Sequence, residues 1–252
     1  QMLDQHTAQI AMLETDHMVD IYMLQAEHDI DIAALEAALE SATSCQLVPF
    51  GNCAGANLSG ADLSGMDLTG IDLRSANLEG ANLAGAGLSE SLLMNIKGNS
   101  STNFSNANLY RADLTDAYLG NVDLMGASLN HTDLTRAHLV YADLRYADLT
   151  NAYLTGAILA YADLTDAYLS GADLRNANLQ SADLTDAYLR DADLTDAYLW
   201  NADLTGANLW YADLKFAYFG GATVTDAVFT DTYWHQTIWT DYVRYDSNQA
   251  AD

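Results

Sequence analysis

A large apolar residue returns at every fifth position through most of the chain. Between positions 104 and 229 it is nearly always leucine, and a small residue, usually alanine, stands two positions before it. The segments RADLTDAY at 111–118 and DADLTDAY at 191–198 show this pattern clearly. A period of five fits neither the 3.6-residue period of an α-helix nor the alternation of a flat strand. The pattern therefore predicts a solenoid built from short repeated units.

Each five-residue unit is predicted to form one side of a square coil and then to turn a corner. The leucine and the small residue before it point to the coil axis, where large and small side chains pack closely, and the other three residues face water. Backbone groups pair with the coils above and below, about 4.8 Å away as in other sheets. Stacked units of this kind bury a core that one unit cannot bury alone.

The phrase A-(D/N/Y)-L-x-x closely resembles the repeat of the pentapeptide repeat family, and the resemblance covers most of the chain. It implies an all-β solenoid, a right-handed quadrilateral β-helix of about nine coils at the usual strand spacing. The repeats are predicted over 55–241, with a tail at 242–252. The segment MNIKGNSST at 94–102 lacks the pattern and shifts its frame by one residue. We interpret it as an insertion at one corner, with a partner-binding loop, as in some family members, as the alternative.

Residues 1–43 have a different pattern, without proline or glycine. Apolar residues recur there with an eleven-residue period, which is typical of a nearly straight or slightly right-handed coiled coil. The stripe consists of Ile10, Leu13, Ile21, Leu24, Ile32 and Leu35. The pattern predicts a long N-terminal amphipathic α-helix that lies on its own solenoid or packs against neighbouring copies. The second interpretation is favoured, because the period is sustained over three repeats.

Three histidines, His6, His17 and His28, share the eleven-residue period. A helix would separate them by about 16 Å, so one chain cannot gather them on one metal ion. They either border the apolar stripe, which is the favoured interpretation, or form rings in a symmetric bundle that bind metal or respond to pH near 6.

The linker SCQLVPFGNCA at 44–54 contains the only proline of the chain, Pro49, and marks the domain boundary. Cys53 lies in the frame of the repeat, so a disulfide with Cys45 would attach the linker to the first coil. Its oxidised form implies an extracytoplasmic setting, whereas reduced Cys53 would be a small core residue. The chain begins with Gln1, which is compatible with a removed signal peptide. An extracytoplasmic or secreted bacterial location is therefore favoured over a cytoplasmic one.

The net charge of −26 disfavours direct binding to nucleic acid or to anionic membranes. No apolar run is long enough to span a membrane. A 20-residue coil would place Asp columns on two opposite sides and tyrosines on the other two. One column is Asp123, Asp143, Asp163, Asp183 and Asp203, and the opposite one is Asp113, Asp133, Asp173, Asp193 and Asp213. Such columns could collect Ca²⁺, but no loop of fixed ligand spacing supports this, so no cofactor or metal is predicted.

No catalytic motif is present, and the chain is predicted not to be an enzyme. Aromatic residues grow denser toward the C-terminus, as expected of an interface. The predicted assembly surface adds to the apolar stripe the residues Trp200, Trp210, Tyr211, Phe216, Tyr233, Trp234, Trp239 and Tyr242. We expect a structural protein whose main partner is itself, associating end to end as a filament or surface assembly. The alternative is a DNA-mimicking module that acts on a type II topoisomerase, which the acidic rod favours and the absence of a C-terminal dimerisation helix disfavours.

Overall fold

The computed structural model describes residues 45–246 and shows a four-sided β-solenoid. The residue before each core leucine forms a parallel bridge with the residue 20 positions later, as Asp143 does with Asp163. These bridges continue from Asn52 to Ile238, which amounts to about nine coils. The predicted all-β solenoid is therefore confirmed. The predicted N-terminal helix, its apolar stripe and its histidines lie outside the described residues.

We name the four sides A to D in chain order, after the bridge residues of one coil: Asp143, Asp148, Tyr153 and Ile158. Each corner is named by the two sides that it joins. The bridges place the Asp column of 123–203 on side A and the Asp column of 113–213 on the opposite side C, where Tyr153 interrupts it. Side B carries Tyr168 and Tyr188, and side D carries Tyr118, Tyr198 and Tyr218. The 20-residue coil thus produces the predicted columns.

Each corner is a tight turn whose geometry explains the residues found there. The amide of Ala117 donates to the carbonyl of Leu114 at 3.0 Å, and this three-residue step recurs along the rod. The third residue of that turn, Asp116, has a φ of 56°. A type II turn requires a positive φ there, which Gly, Asn and Asp adopt most easily. Bulky residues also adopt it at several corners, among them Tyr141, Tyr146, Tyr161, Tyr211 and Phe216.

The interior consists of the leucines and alanines of the repeat, which are fully buried through the middle of the rod. A few hydroxyl residues occupy alanine positions without leaving polar atoms unsatisfied. Thr132, for example, donates from its hydroxyl to the carbonyl of Leu109 at 2.6 Å. No buried side-chain polar atom within 45–246 lacks a hydrogen-bond partner. The core is therefore continuous from coil to coil.

The interruption is narrower than the segment 94–102 that the sequence suggested. Lys97 still bridges both neighbouring coils, and Ile96 is fully buried in an alanine position. The extra residue enters the DA corner between Gly98 and Thr102, so bridges that cross this corner step 21 residues. The Thr102 hydroxyl donates to a backbone carbonyl of the coil below at 2.9 Å. The repeat thus continues through the segment with a one-residue bulge.

At the N-terminal end of the rod, a disulfide joins Cys45 to Cys53. Cys53 is buried in a leucine position, and half-buried Leu47 packs against the same end of the core. Of the two redox states left open by the sequence, the structure has the oxidised one. The linker is thereby fixed to the first coil.

At the C-terminal end, strands β1 (Thr237–Ile238) and β2 (Arg244–Tyr245) form an antiparallel hairpin. This hairpin covers the edge of the last coil on side D. Trp234 and Trp239 were predicted to offer aromatic contact surface, but each is only 8% exposed. Their rings lie 4.8 Å apart and pack with the phenylalanines of the last coils. They are buried because large rings fill the end of a core that no further coil covers.

Candidate functional site

A groove of about 530 Å³ crosses side D in the C-terminal half of the rod. Residues from four successive coils line it: Gly156, Ile158, Asn176, Asn178, Gln180, Tyr198, Trp200 and Tyr218. The lining begins at the CD corner and rises diagonally to the DA corner. Trp200 is the only one of these residues in the predicted assembly surface, and Tyr198 and Tyr218 belong to the tyrosines that the 20-residue coil places between the Asp columns.

The groove arises from a change of side-chain size along the bridge column of side D. Ile158 and Asn178 are shorter than the tyrosines that follow them, and Gly156 contributes no side chain at the CD corner. At the upper end, the ring of Tyr218 leans over Gly220, where an added Cβ would lie 2.8 Å from it. The short side chains of Ile158 and Asn178, with Gly156 at the CD corner, therefore leave space between the aromatic rings.

The aromatic rings of the groove do not stack on each other, unlike other aromatic neighbours along the rod. Tyr168 and Tyr188 stack at 5.1 Å with an interplanar angle of 8°, and Tyr141 and Tyr161 stack at 4.9 Å. Tyr198 and Tyr218 are bridge partners in the same way, yet they make no ring contact. Tyr198 is 58% exposed and Trp200 is 43% exposed. Their faces are accessible to a ligand.

Three exposed aromatic rings outside the groove lie beside cations of the chain itself. The guanidinium carbon of Arg190 lies 5.9 Å from the ring centroid of Trp210 and 5.6 Å from that of Tyr211. Lys215 similarly lies 5.9 Å from the ring centroid of Tyr233. Within residues 45–246, no lysine or arginine takes such a position over an aromatic ring of the groove.

Three amide side chains supply the polar groups of the groove. The Oδ1 atom of Asn178 accepts a hydrogen bond from the backbone amide of Gln180 at 3.0 Å. The Nε2 atom of Gln180 lies 3.5 Å from the Tyr161 hydroxyl, at the limit of a hydrogen bond. Asn176 is exposed, and its side chain makes no hydrogen bond within the described part of the chain. The groove thus offers free amide oxygens and no formal charge.

Side D lies between the acidic sides A and C. Near the groove, the two sides differ in whether their aspartates form ion pairs with lysine or arginine. On side C, Asp173 pairs with Arg175 at 2.5 Å and Asp213 pairs with Lys215 at 2.7 Å. The hydrogen bond from Arg175 lowers the pKa of Asp173. On side A, Asp183 and Asp203 follow the groove residues Gln180 and Trp200 by three positions, and neither makes an ion pair in 45–246. The DA edge of the groove therefore carries uncompensated negative charge.

The Asp columns also have a structural role that sequence reasoning missed. Asp183 Oδ1 accepts a hydrogen bond from the backbone amide of Thr185 at 3.0 Å, which caps the corner. Asn208 does the same for the amide of Trp210 at 3.1 Å. This local bond explains why Asp and Asn exchange at the position before leucine. The exchange of Asp and Asn before leucine is visible in the sequence and is the signal that could have revealed this hydrogen bond.

The predicted assembly residues of the C-terminal half are spread over several sides of the rod. Trp210 and Tyr211 lie at the BC corner, Tyr233 on side C and Phe216 at the CD corner, and all four are exposed. Tyr242 is also exposed and reaches the end of the rod beside Gly220. The structure therefore does not gather these residues into one patch.

Two further properties bear on the choice of function. In the part of the chain that the structure describes, no helix has the length and apolar character needed to cross a membrane. Among the same residues, no group of three or more His, Cys, Asp or Glu side chains is arranged to hold a metal ion.

Comparison with known proteins defines the class of this solenoid. The family model for pentapeptide repeats matches in eight copies, over 52–90, 102–139, 137–176 and 172–210. Among solved structures, HetL from the cyanobacterium Nostoc sp. strain PCC 7120, a protein involved in heterocyst differentiation regulation, is 35% identical. The match covers 77% of this chain and 91% of HetL, with a TM-score of 0.28.

Two other solved structures are more distant in sequence. QnrB1, a plasmid-mediated fluoroquinolone resistance protein, is 19% identical over 69% of this chain and 89% of its own, with a TM-score of 0.42. Rfr23 from the cyanobacterium Cyanothece 51142 is 25% identical over 56% of this chain and 89% of its own, with a TM-score of 0.22. No curated protein sequence matches the chain significantly.

The chain belongs to the pentapeptide repeat family, because the repeat model matches more than half of it. The family fold is a right-handed quadrilateral β-helix. Its members are generally structural or binding modules rather than enzymes. The functional residues are therefore expected on the surface of the rod rather than in its interior.

Proposed function

We propose that this protein is a non-enzymatic structural protein that associates end to end. The open backbone edge of its last coil carries the proposal. Inside the rod, the amide of Leu204 donates to the carbonyl of Thr223 in the next coil at 2.8 Å. The equivalent amides of Val224 and Trp234 in the last coil have no acceptor within residues 45–246. Unpaired strand edges of this kind are templates for another chain.

The first coil has the complementary edge. Inside the rod, the amide of Asp143 donates to the carbonyl of Val122 in the coil below at 3.0 Å. The equivalent amides of Asn57, Asp62 and Asp67 find no acceptor among the described residues. The last coil of one copy and the first coil of another therefore offer the groups that join coils inside the rod. Since the two edges differ, the joint is head-to-tail and produces an open polymer unless its rotation closes a ring.

Charge favours joints at the ends over contacts along the sides. The Asp columns of sides A and C run along the rod, and like charges on two parallel rods repel each other. In this proposal the N-terminal segment 1–43, with its apolar stripe, and the exposed aromatic residues near the last coil add contact area at the joint. The hairpin β1–β2 lies on side D, and within residues 45–246 the amides of Val224 on side A and Trp234 on side C remain available for that contact.

Sedimentation velocity and negative-stain electron microscopy across protein concentration test the proposal. We expect rods joined end to end, with lengths that grow with concentration. The double variant Phe216→Ser and Tyr233→Ser should shorten them, because it removes exposed rings near the last coil. The matched control, Tyr146→Ser with Tyr153→Ser, changes equivalent exposed positions at mid-rod and should have no effect. Single rods or closed dimers at every concentration would exclude end-to-end polymerisation.

A second candidate function is DNA mimicry directed at a type II topoisomerase. It is favoured by the unbroken column of five Asp residues on side A, from Asp123 to Asp203. Replacing these five by Asn removes the charge and keeps the corner caps. In a gyrase supercoiling assay, inhibition by the wild type that is lost in the Asn variant would support this function. Equal activity of the two proteins, or none from either, would argue against it.

A further inference from the structure

We propose that the groove on side D binds an arginine-bearing basic segment of a partner protein. This goes beyond end-to-end association, because the groove lies on the side of the rod. Its volume of about 530 Å³ is in the range of ligand pockets, which bind mainly through apolar rings with a few polar groups for orientation. Tyr198, Trp200 and Tyr218 supply the rings, and the amides supply the polar groups.

The contacts between cations and exposed rings elsewhere on the chain indicate the chemistry of the ligand. Arg190 covers Trp210 and Tyr211, so the protein itself shows that a guanidinium fits over its corner aromatics. A cation over an aromatic face is attracted by the ring quadrupole, most strongly for Trp. Tyr198 and Trp200 are exposed, and neither ring has a stacking partner or a cation within residues 45–246. A guanidinium from outside the chain would occupy them as Arg190 occupies Trp210.

The surrounding charge selects a cation. Asp183 and Asp203 lie just beyond the DA corner without an ion-pair partner in 45–246, and the chain as a whole carries −26. When an arginine of the ligand lies over a ring of the groove, a second basic side chain beside it therefore meets unpaired carboxylates. Asn176 and Gln180 offer amide oxygens to the N–H donors of the ligand. An anionic ligand would be repelled from the same position. A neutral ligand would fill the groove but leave these carboxylates unused.

The source that best fits the ligand is another protein. Residues 1–43 contain no lysine or arginine, so the N-terminal segment cannot supply the cation. All nine lysines and arginines of the chain lie in the solenoid or in its terminal hairpin. Most of them already pair with a neighbouring carboxylate, as Arg175 does with Asp173. A second copy of this acidic chain is therefore a poor source, and a basic partner segment is the occupant that fits.

Fluorescence anisotropy tests the proposal with a labelled nine-residue peptide that carries three arginines separated by glycine and serine. The same peptide with citrulline in place of arginine is the uncharged control. We expect saturable binding of the arginine peptide to the full chain, and weakening of about 5- to 20-fold by Trp200→Ala, which is the size of a desolvated cation–π contact. Trp210→Ala, at an equally exposed corner position outside the groove, should change the affinity less than 2-fold.

Charge variants locate the second contact. Asp183→Asn with Asp203→Asn keeps the corner caps and should weaken binding, whereas Asp123→Asn in the same column should have little effect. Circular dichroism melts establish that each variant is folded. Equal loss of binding in the Trp200 and Trp210 variants would overturn the proposal, because the attraction would then be a general property of an acidic rod. Equal binding of the citrulline peptide, or Trp200-dependent binding of a neutral oligosaccharide on a glycan array, would also overturn it.

Discussion

The hydrogen bond that Asp183 makes at its corner predicts how the acidic column of side A responds to substitution. Its Oδ1 atom accepts from the amide of Thr185 at 3.0 Å, and Asp163 and Asp203 are its bridge neighbours in the adjacent coils. Two variants separate the cap from the charge. Asp183→Asn keeps an oxygen acceptor and removes the charge, whereas Asp183→Ala removes both.

The magnitude follows from the spacing of the coils. Carboxylates one coil apart, about 4.8 Å, repel each other by roughly 0.9 kcal/mol in water before screening by salt. Asp183→Asn relieves this repulsion from both bridge neighbours, which salt screens, and loses the charge-assisted part of the cap, so its stability should stay within about 0.5 kcal/mol of the wild type. Asp183→Ala relieves the same repulsion but leaves the Thr185 amide without its partner. The Ala variant should therefore be less stable than the Asn variant by about 1 kcal/mol.

Urea unfolding followed by far-UV circular dichroism measures the difference, and hydrogen exchange of the Thr185 amide reports on the corner itself. Hydrogen exchange is the more specific measurement, because it reports on a single corner, whereas urea unfolding of a repeat array need not occur in one cooperative step. We expect faster exchange at Thr185 in the Ala variant and wild-type exchange in the Asn variant. Equal stability and equal exchange in the two variants would show that the column is an electrostatic feature with no capping role.

Three further predictions concern the core, an ion pair and the N-terminal end. Gly98→Leu should destabilise the rod by about 1–3 kcal/mol, because even a Cβ at Gly98 would lie 3.0 Å from Val122, and adding Val122→Ala should restore much of the loss in urea unfolding. Arg145→Gln should raise the pKa of Asp143, which the Arg145 hydrogen bond lowers, in an NMR titration. The stabilisation from this pair is present above about pH 4 and is lost as the pH falls through the lowered pKa, so an unchanged titration would contradict the pairing. Reducing the disulfide of the first coil should lower stability by about 2–3 kcal/mol in urea unfolding with and without dithiothreitol, and an unchanged midpoint would show that the small loop it closes contributes little.

Much of the fold could be predicted from the sequence, because its determinants are local and repeated. Each leucine and the alanine before it select the interior within one five-residue unit, and the four-unit coil then places Asp163 next to Asp143. The ends were harder to predict. Trp234 and Trp239 stand in the five-residue frame of the buried leucines, but the residues around them depart from the repeat and tryptophan is common at interfaces, so the sequence suggested exposed contact residues. They are buried because the end of the core has no coil above it, which is a property of the stacked rod.

The candidate site could not be predicted to the same extent. Tyr198 and Tyr168 occupy equivalent repeat positions, yet Tyr168 is covered by a stacked neighbour and Tyr198 faces an open groove. The difference depends on Gly156, Ile158 and Asn178, which lie on other coils and leave space beside Tyr198. Side-chain positions across four coils decide whether space remains between rings, and a five-residue pattern does not encode them.

The sequence by itself determined the solenoid, its core and the columns of charge on its sides, because each depends on a short repeat and a constant coil length. The tertiary structure alone decided which aromatic rings are stacked, covered by a cation, buried at the end or left open. Those outcomes depend on contacts between residues about 20 positions or more apart, where a single glycine or a short side chain changes the packing of its neighbours.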